Sequence, residues 1–385
     1  VKKGLFAKAA SLGYDMWKSY ASKKGLLFKQ DGVLEVATDE SSIDRLYRYM
    51  QWGLENGLLE KEIRLVTKQE AQKMEPAVRC SLAVYCSKDA SVDYGSLTQS
   101  LLEDCTQQGC RVLIGHKVQK IVKTNEGYNL LTNRGHSVTA NFIINSAGGN
   151  AIDIAHSMGV AAEFTDLHFR GEYWQAPEEY RTLTKLSIYS VPKFPDYPFL
   201  DPHWIVRANG TCEVGPNAVP VFGPYAYTWS KNLTYILPKI FESSTTGARK
   251  MIFDRQFMSL VGTELKSSLS KTAMINRVRK FLPQVEPSKF VIRGTSGIRS
   301  SVIDRAGRFI SDTMILEREG SLHVINYNSP GATGALPMAT MIASRLVMSG
   351  QVAGNWDASG GRDMLWDVYD IAEKMEDAAN GPAGQ

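Results

Sequence analysis

The chain of 385 residues is long enough for one large two-lobed unit or two domains, each with its own core. Lys and Arg exceed Asp and Glu by only 44 − 40 = 4, which gives no electrostatic case for nucleic acid but suits an anionic substrate. No apolar run reaches the roughly 18 residues of a membrane-spanning helix, and no secretory signal is visible, although the chain begins at Val1 rather than Met.

The apolar spacing of Leu5, Phe6, Ala9, Leu12, Met16, Trp17 and Tyr20 predicts a helix over 5–23. Leu26–Phe28 and Val33–Ala37 read as two strands turning through Asp31-Gly32 as a hairpin. A helix over about 40–56 follows, stopped by Asn56-Gly57, then a strand at Ile63–Val66 and a short helix at Lys68–Lys73. From about 95 to 160 the texture is α/β. A helix carries Leu97, Leu101, Leu102 and Cys105. Strands are expected at Arg111–Ile114, Val118–Lys123, Tyr128–Thr132 and Phe142–Ile144, before a helix at about 151–158. Residues 161–290 are rich in Pro and aromatics and read as an antiparallel sheet with helices near 232–242 and 250–262. The glycine-punctuated α/β texture returns from 291 and ends in a helix at about 333–349. An amphipathic helix is expected from about 362 (Met364, Leu365, Val368, Ile371, Ala372, Met375), and a disordered tail over Asn380–Gln385.

Three segments carry chemistry. Asn326-Tyr-Asn-Ser-Pro-Gly-Ala-Thr-Gly-Ala335 follows a strand and opens a helix, so backbone N–H groups and the positive end of the helix dipole suit an anion; a plain turn before a core helix is the alternative. In Ile144-Asn-Ser-Ala-Gly-Gly149, two glycines after a buried strand let a flat or phosphorylated ligand approach, or merely relieve a tight turn. In Gly294-Thr-Ser-Gly-Ile-Arg299, the guanidinium could clamp a carboxylate, or be an ordinary solvated arginine. The five cysteines show no CxxC and no His neighbours at metal spacing. His116, His136, His156, His168 and His323 are likewise scattered, so reduced thiols and no metal are expected.

In this order the three segments resemble the FAD-dependent oxidoreductases that include D-amino-acid oxidase, glycine oxidase and glycerol-3-phosphate dehydrogenase. Phe169-Arg-Gly-Glu-Tyr-Trp174, Ile188-Tyr-Ser-Val-Pro192, Pro198-Phe-Leu-Asp-Pro-His203 and Val214-Gly-Pro-Asn-Ala218, with Met74-Glu-Pro76 and Val92-Asp-Tyr94, are similar to the L-2-hydroxyglutarate dehydrogenase/oxidase branch. Coverage runs from about residue 2 to 349; Ser190 stands where that branch usually has Pro. No Gly-x-Gly-x-x-Gly occurs, and Val1–Ala10 aligns several dozen residues into the family pattern. The expectation is therefore a fragment or mis-started sequence that lacks the opening βαβ unit.

The resemblance implies a two-lobed α/β fold: an incomplete, discontinuous Rossmann-like FAD-binding domain (1–25, 80–160, 291–350) with an inserted antiparallel-sheet substrate domain (26–79, 161–290). A C-terminal helix and tail (351–385) complete the chain. FAD would be held by Val118, Ala147, Gly148, Gly149, Gly297, Ser329, Gly331, Ala332, Thr333 and Gly334. His203 is the candidate base and Arg299 the candidate carboxylate clamp, with Arg170, Tyr173 and Asn217 at the substrate. The implied reaction is hydride transfer from a small L-2-hydroxy acid, L-2-hydroxyglutarate first, to FAD, with electrons passed to a quinone or oxygen. The implied setting is cytoplasmic or on the mitochondrial matrix side, with peripheral membrane contact if a quinone is used. A flavin amine or amino-acid oxidase and a non-catalytic remnant are the alternatives.

Overall fold

A computed structural model describes residues 4–193, 201–241, 246–328, 330–353 and 365–380. The chain forms two compact units. The first comprises Leu27–Val92 and Thr165–Ser311. The second comprises the described residues before Leu27, Asp93–Phe164 and the chain from Asp312 on. Residues 80–92 and 291–311, expected with the nucleotide-type texture, thus sit in the first unit, and helix Val368–Asn380 belongs to the second.

The first unit is built on an eight-stranded mixed sheet. From its third strand to one edge it runs Cys212–Gly215, His203–Val206, Ser187–Ser190, Val33–Ala37, Leu82–Cys86 and Ile63–Thr67. Strand alternation sends every second side chain to one face. Leu34, Ile188, Trp204 and Val214 are in cross-strand register and fully buried, and they pack with Met274, Ile275, Val278, Phe281 and Phe290. Helix Lys271–Val278, which covers this face, was not anticipated from the sequence; Ser270 starts it by accepting from Ala273 N. The helix expected near 250–262 is two, Thr246–Ile252 and Arg255–Leu269. The Asp254 side chain takes the Phe257 N–H and begins the second.

The 26–37 hairpin does not form. Phe28–Lys29 pairs with Ser91–Val92, whereas Val33–Ala37 pairs with Leu82–Cys86 and, in parallel, with Ser187–Ser190. Gly32 is the reason: at φ 83, with a Cβ position only 2.8 Å from Cys86 O, it redirects the chain into the large sheet instead of folding it back. A three-stranded sheet, Val219–Val221, Phe164–Gly171 and Gly297–Asp304, completes this unit.

In the second unit, Ile143–Asn145 and Ser321–Ile325 pair in parallel, with Met314–Arg318 antiparallel beyond. Helices Leu5–Lys24, Ala335–Met348 and Val368–Asn380 share a core of Leu5, Met16, Leu322, Met341, Leu346 and Met375. The last helix begins later than expected because Asp367 accepts from the N–H groups of Tyr369 and Asp370; Met364 and residues 381–385 lie outside the described residues. Val118–Thr124, Gly127–Thr132 and Ser137–Ala140 form a separate meander. Arg111–Ile114 is not a strand. No described strand pairs with it, and a strand needs a ladder partner, so Val112 and Ile114 stay exposed.

Candidate active site

Opposite the apolar core, strands Ser187–Ser190, His203–Val206 and Cys212–Gly215 present a polar face that reaches Glu35; beyond it Ala37, Ile63 and Val84 pack against helix Ile43–Glu55 as a second apolar cluster. Alternation places Glu35, Tyr189, His203, Arg207 and Glu213 on the polar face, with Tyr173 beside Gly215. Among them His203 has the most informative surroundings. It is buried, its ring stacks on Tyr189 at 4.0 Å, and its Nδ1 lies 3.0 Å from the Asp201 carbonyl. A carbonyl only accepts, so Nδ1 carries the proton and Nε2 keeps a lone pair. Burial lowers the imidazole pKa to about 4, with Arg207 adding to the effect, so the ring is neutral near pH 7.

Arg207 and Tyr173 form the neighbouring group. Glu213 Oε2 accepts from Arg207 Nε at 2.8 Å and also from Nη2, and the guanidinium lies over the Tyr173 ring at 5.3 Å. The Gly294–Arg299 turn joins them. Gly294 N donates to Tyr173 O at 2.8 Å, and a Cβ at Gly294 would meet Glu213 Oε1 and Tyr173 Cβ, each at 2.8 Å. Burial raises the Tyr173 hydroxyl pKa; Arg207, Glu213 and Arg299 are its charged neighbours. Burial also pulls the Arg299 pKa down. Desolvation further raises Glu35 to about 8. The structure therefore brings His203, Tyr173 and Arg299 into one unit with Tyr189, Arg207, Glu213 and Glu35, which the sequence did not single out.

Arg170 and Asn217 are differently occupied. Arg170 donates to Glu172 Oε1 at 2.9 Å and to the carbonyls of Ala226 and Tyr227, and it lies over Trp229. Asn217 grips the same Glu172 twice, accepting from its N–H and donating to Oε2. Both are buried, in a network that fastens the 226–229 segment to strand Phe164–Gly171.

The second unit holds the glycine turns. Because Ile143–Asn145 and Ser321–Ile325 run parallel and in register, their carboxyl ends deliver Ala147-Gly148-Gly149 and the 326–334 turn to the same end of the sheet. That is where open α/β sheets bind ligands. Gly148 has φ 56, and nothing lies within 4 Å of a Cβ placed there. Asn145 sets this turn from below, donating to Ala151 O at 2.8 Å and meeting His323 Nδ1 at 3.0 Å.

Gly334 precedes helix Ala335–Met348 without a side-chain cap, and no acidic residue occupies the first turn, so the positive helix end is left for an anion. The turn is held by its carbonyls: Trp17 Nε1 lies 3.0 Å from both Ala332 O and Thr333 O, and Tyr94 reaches Thr333 Oγ1 at 3.0 Å. Gly331 and Gly334 are both tight, with Cβ positions 2.4 Å from Asn328 O and 2.8 Å from Ala9 Cβ. Ser329 lies outside the described residues. Val118 opens the meander, at a register shift opposite Thr132. Gly297 lies in the first unit, at the start of the strand that carries Arg299.

The sequence matches the family described as FAD dependent oxidoreductase over residues 2–345. The chain belongs to this family. Among curated relatives of this FAD-dependent oxidoreductase is the L-2-hydroxyglutarate dehydrogenase of Indibacter alkaliphilus. It is 29% identical over 344 residues, covering 87% of this chain and 84% of that protein. The mitochondrial L-2-hydroxyglutarate dehydrogenase of Bos taurus is 30% identical over 363 residues, covering 90% and 76%. Among solved structures, the L-alpha-glycerophosphate oxidase of Mycoplasma pneumoniae with FAD bound superposes with a TM-score of 0.64. It is 18% identical and covers 98% of this chain and 80% of that one, a likeness of fold. The cofactor is FAD, and the second unit fits it. It offers an open glycine turn at 148–149, an uncapped helix end at Gly334 and, beside that glycine, a buried Tyr327 hydroxyl with no hydrogen-bond partner among the described residues.

Proposed function

We propose that this oxidoreductase converts L-2-hydroxyglutarate to 2-oxoglutarate, with the first unit binding the substrate and the second holding FAD. The observation that carries the reading is His203: neutral, with Nδ1 committed to the Asp201 carbonyl and Nε2 left to accept a proton. Bound FAD supplies a two-electron acceptor for the hydride on C2. His203 Nε2 takes the hydroxyl proton as the C–O bond becomes a carbonyl, and Asp201 holds the ring in the required tautomer. A pKa near 4 makes a weak base, and entry of a dicarboxylate beside the ring raises it toward the range where transfer is efficient.

Arg299 and Arg207 are the carboxylate partners, and Tyr173 and Tyr189 wall the site and exclude water. Arg170 and Asn217 then act through Glu172 to set the strand that carries Tyr173. Ala147, Gly148, Gly149, Gly331, Ala332, Thr333 and Gly334 would hold the cofactor through their backbone groups, with Val118 and Gly297 as further cofactor-side positions.

Electrons leave to a quinone or to oxygen. A quinone acceptor calls for peripheral membrane contact, and helix Trp229–Phe241 offers exposed Trp229, Leu233 and Leu237 with Lys231 between them. No helix among the described residues is long and apolar enough to cross a membrane. Either a cytoplasmic or a mitochondrial matrix setting agrees with five cysteines that are all free.

The test is the absorbance spectrum of the purified protein supplied with FAD. A yellow protein bleached anaerobically by L-2-hydroxyglutarate, and not by the D-enantiomer, is expected. Bleaching by glutamate or glycine alone would transfer the reading to an amino-acid oxidase, and failure to retain flavin would favour a non-catalytic remnant.

A further inference from the structure

We propose that Cys105 and Cys110 form a reversible dithiol/disulfide pair, a modification site at the carboxyl end of helix Tyr94–Gln107 that a peroxide oxidises. They are the two exposed cysteines of the chain; Cys80 and Cys212 are buried and Cys86 is half-buried. The chemistry is independent of the role proposed for His203.

The local backbone brings the two thiols together. Gly109, at φ 85, ends the helix in the left-handed conformation, and both bonds of a Schellman cap are present. Cys110 N–H donates to Cys105 O, and Gly109 N–H donates to Thr106 O, each at 3.0 Å. The first of these bonds joins the main chains of the two cysteines themselves. With standard bond lengths, an N···O distance of 3.0 Å keeps their Cα atoms within about 6.9 Å at any angle, and the bend at the donor nitrogen shortens this further. Disulfides span about 4.4–6.8 Å between Cα atoms. Side chains at these two positions of such a cap commonly touch. Among the described residues nothing lies within 4 Å of a Cβ placed on Gly109, so the turn between the cysteines is open to a reagent.

The other three thiols contrast with this pair. Burial pushes the pKa of Cys80, Cys86 and Cys212 up, that of Cys212 to about 11, which leaves little thiolate to react. At the exposed pair, one thiolate attacks a peroxide oxygen and breaks the O–O bond, giving a sulfenic acid and, with hydrogen peroxide, one water. The second sulfur displaces the sulfenic hydroxyl as another water and closes the S–S bond. Two thiols thus lose two electrons and two protons, which the peroxide takes up, and a small dithiol reverses the step by exchange. The bridge ties residues 111–114 to a helix end that Asp104 already anchors to Tyr20 and Lys24, so closure completes a cap that is formed beforehand.

Peptide mapping of the FAD-loaded protein tests the pair. No Lys or Arg lies between Asp89 and Cys110, so the tryptic peptide Asp89–Arg111 carries both thiols and no other cysteine. After treatment with hydrogen peroxide and then an alkylating agent, this peptide is expected unalkylated and about 2 Da below its reduced mass, through loss of two hydrogens. Dithiothreitol before alkylation should restore two alkylated cysteines, and C105S and C110S should each abolish the 2 Da loss. Equilibration with glutathione buffers, in native protein and in urea, reads the contribution of the fold. The native protein is expected to favour the bridge about tenfold or more over the unfolded chain, where the same loop closes only by diffusion. A native peptide that stays fully alkylated, or that gains oxygen without the 2 Da loss, would overturn the proposal. So would a bridge no more favoured in native protein than in urea.

Discussion

The two units build their candidate sites from different material. At the parallel-strand end of the second unit the functional groups are backbone: glycine turns at 148–149 and 331–334 and the uncapped start of a helix. On the polar face of the first unit they are side chains, brought together from strands far apart in sequence. A backbone site tolerates changes of side-chain chemistry but not of volume, whereas a side-chain site is the reverse. Substitutions that change one property at a time separate the two.

The largest effect is expected at His203. H203Q removes the proton acceptor at similar volume, and general-base loss lowers kcat by about 10²–10⁴-fold. The flavin spectrum should keep its shape, because His203 belongs to the side-chain site. Turnover within threefold of the parent would remove His203 from the chemistry and with it the observation on which the proposed function stands.

The backbone site breaks through volume. Gly13, in helix Leu5–Lys24, has its Cβ position 1.9 Å from Thr333 O and 2.8 Å from Thr333 C, so G13A must displace the 331–334 turn or the helix. Overpacking of this kind costs about 1–3 kcal/mol, and retained flavin is expected to fall along with the melting temperature. A G13A protein with full flavin content and parental melting would show that the turn is not held where FAD needs it.

The contrast also explains what could be read in advance. Gly148, Gly149, Gly331 and Gly334 stand in short runs at strand ends, and such a local pattern survives without knowledge of pairing. Tyr189, Glu35, Arg207 and Glu213 become neighbours only through register, with Tyr189 opposite Glu35 and Glu213 opposite Ile205, which one sequence does not contain. The Asp31-Gly32 turn misled for the same reason: the local hairpin signal was outweighed by Leu34 and Val36 entering the core of a larger sheet. Arg299 was legible from its glycine turn, but its proximity to Tyr173 needed the close approach of Gly294.

A smaller effect sharpens the side-chain site. E213Q leaves Arg207 without its charged clamp but in place over Tyr173, so KM should rise more than kcat falls. A charge-assisted hydrogen bond of about 1.5–3 kcal/mol corresponds to roughly 10–100-fold in KM. An unchanged KM would separate Arg207 from carboxylate binding, leaving Arg299 as the clamp.

The smallest effect is on stability against pH, where the buried His203 and the half-buried Glu35 of this face oppose each other. The folded-state pKa of His203 is depressed to about 4 from 6.5, so the unfolded chain binds more protons in that window. The stability due to the neutral ring is complete above about 6.5 and is lost as pH falls toward 4. Glu35 has its pKa raised to about 8 from 4.5. Its contribution is therefore complete below 4.5 and is lost as pH rises through 8. Between 4.5 and 6.5 the two slopes cancel, and stability should decline only above about 6.5. E35Q removes the falling limb, so it should match the parent near pH 5 and exceed it near pH 9. Glu35 is only half-buried and solvent screens it, which limits the gain to about 1 kcal/mol, a few degrees in melting temperature for a unit of this size. Equal melting of E35Q and parent at pH 9 would mean that Glu35 is ionised in the folded protein, and the polar face would then be wetter than its burial indicates.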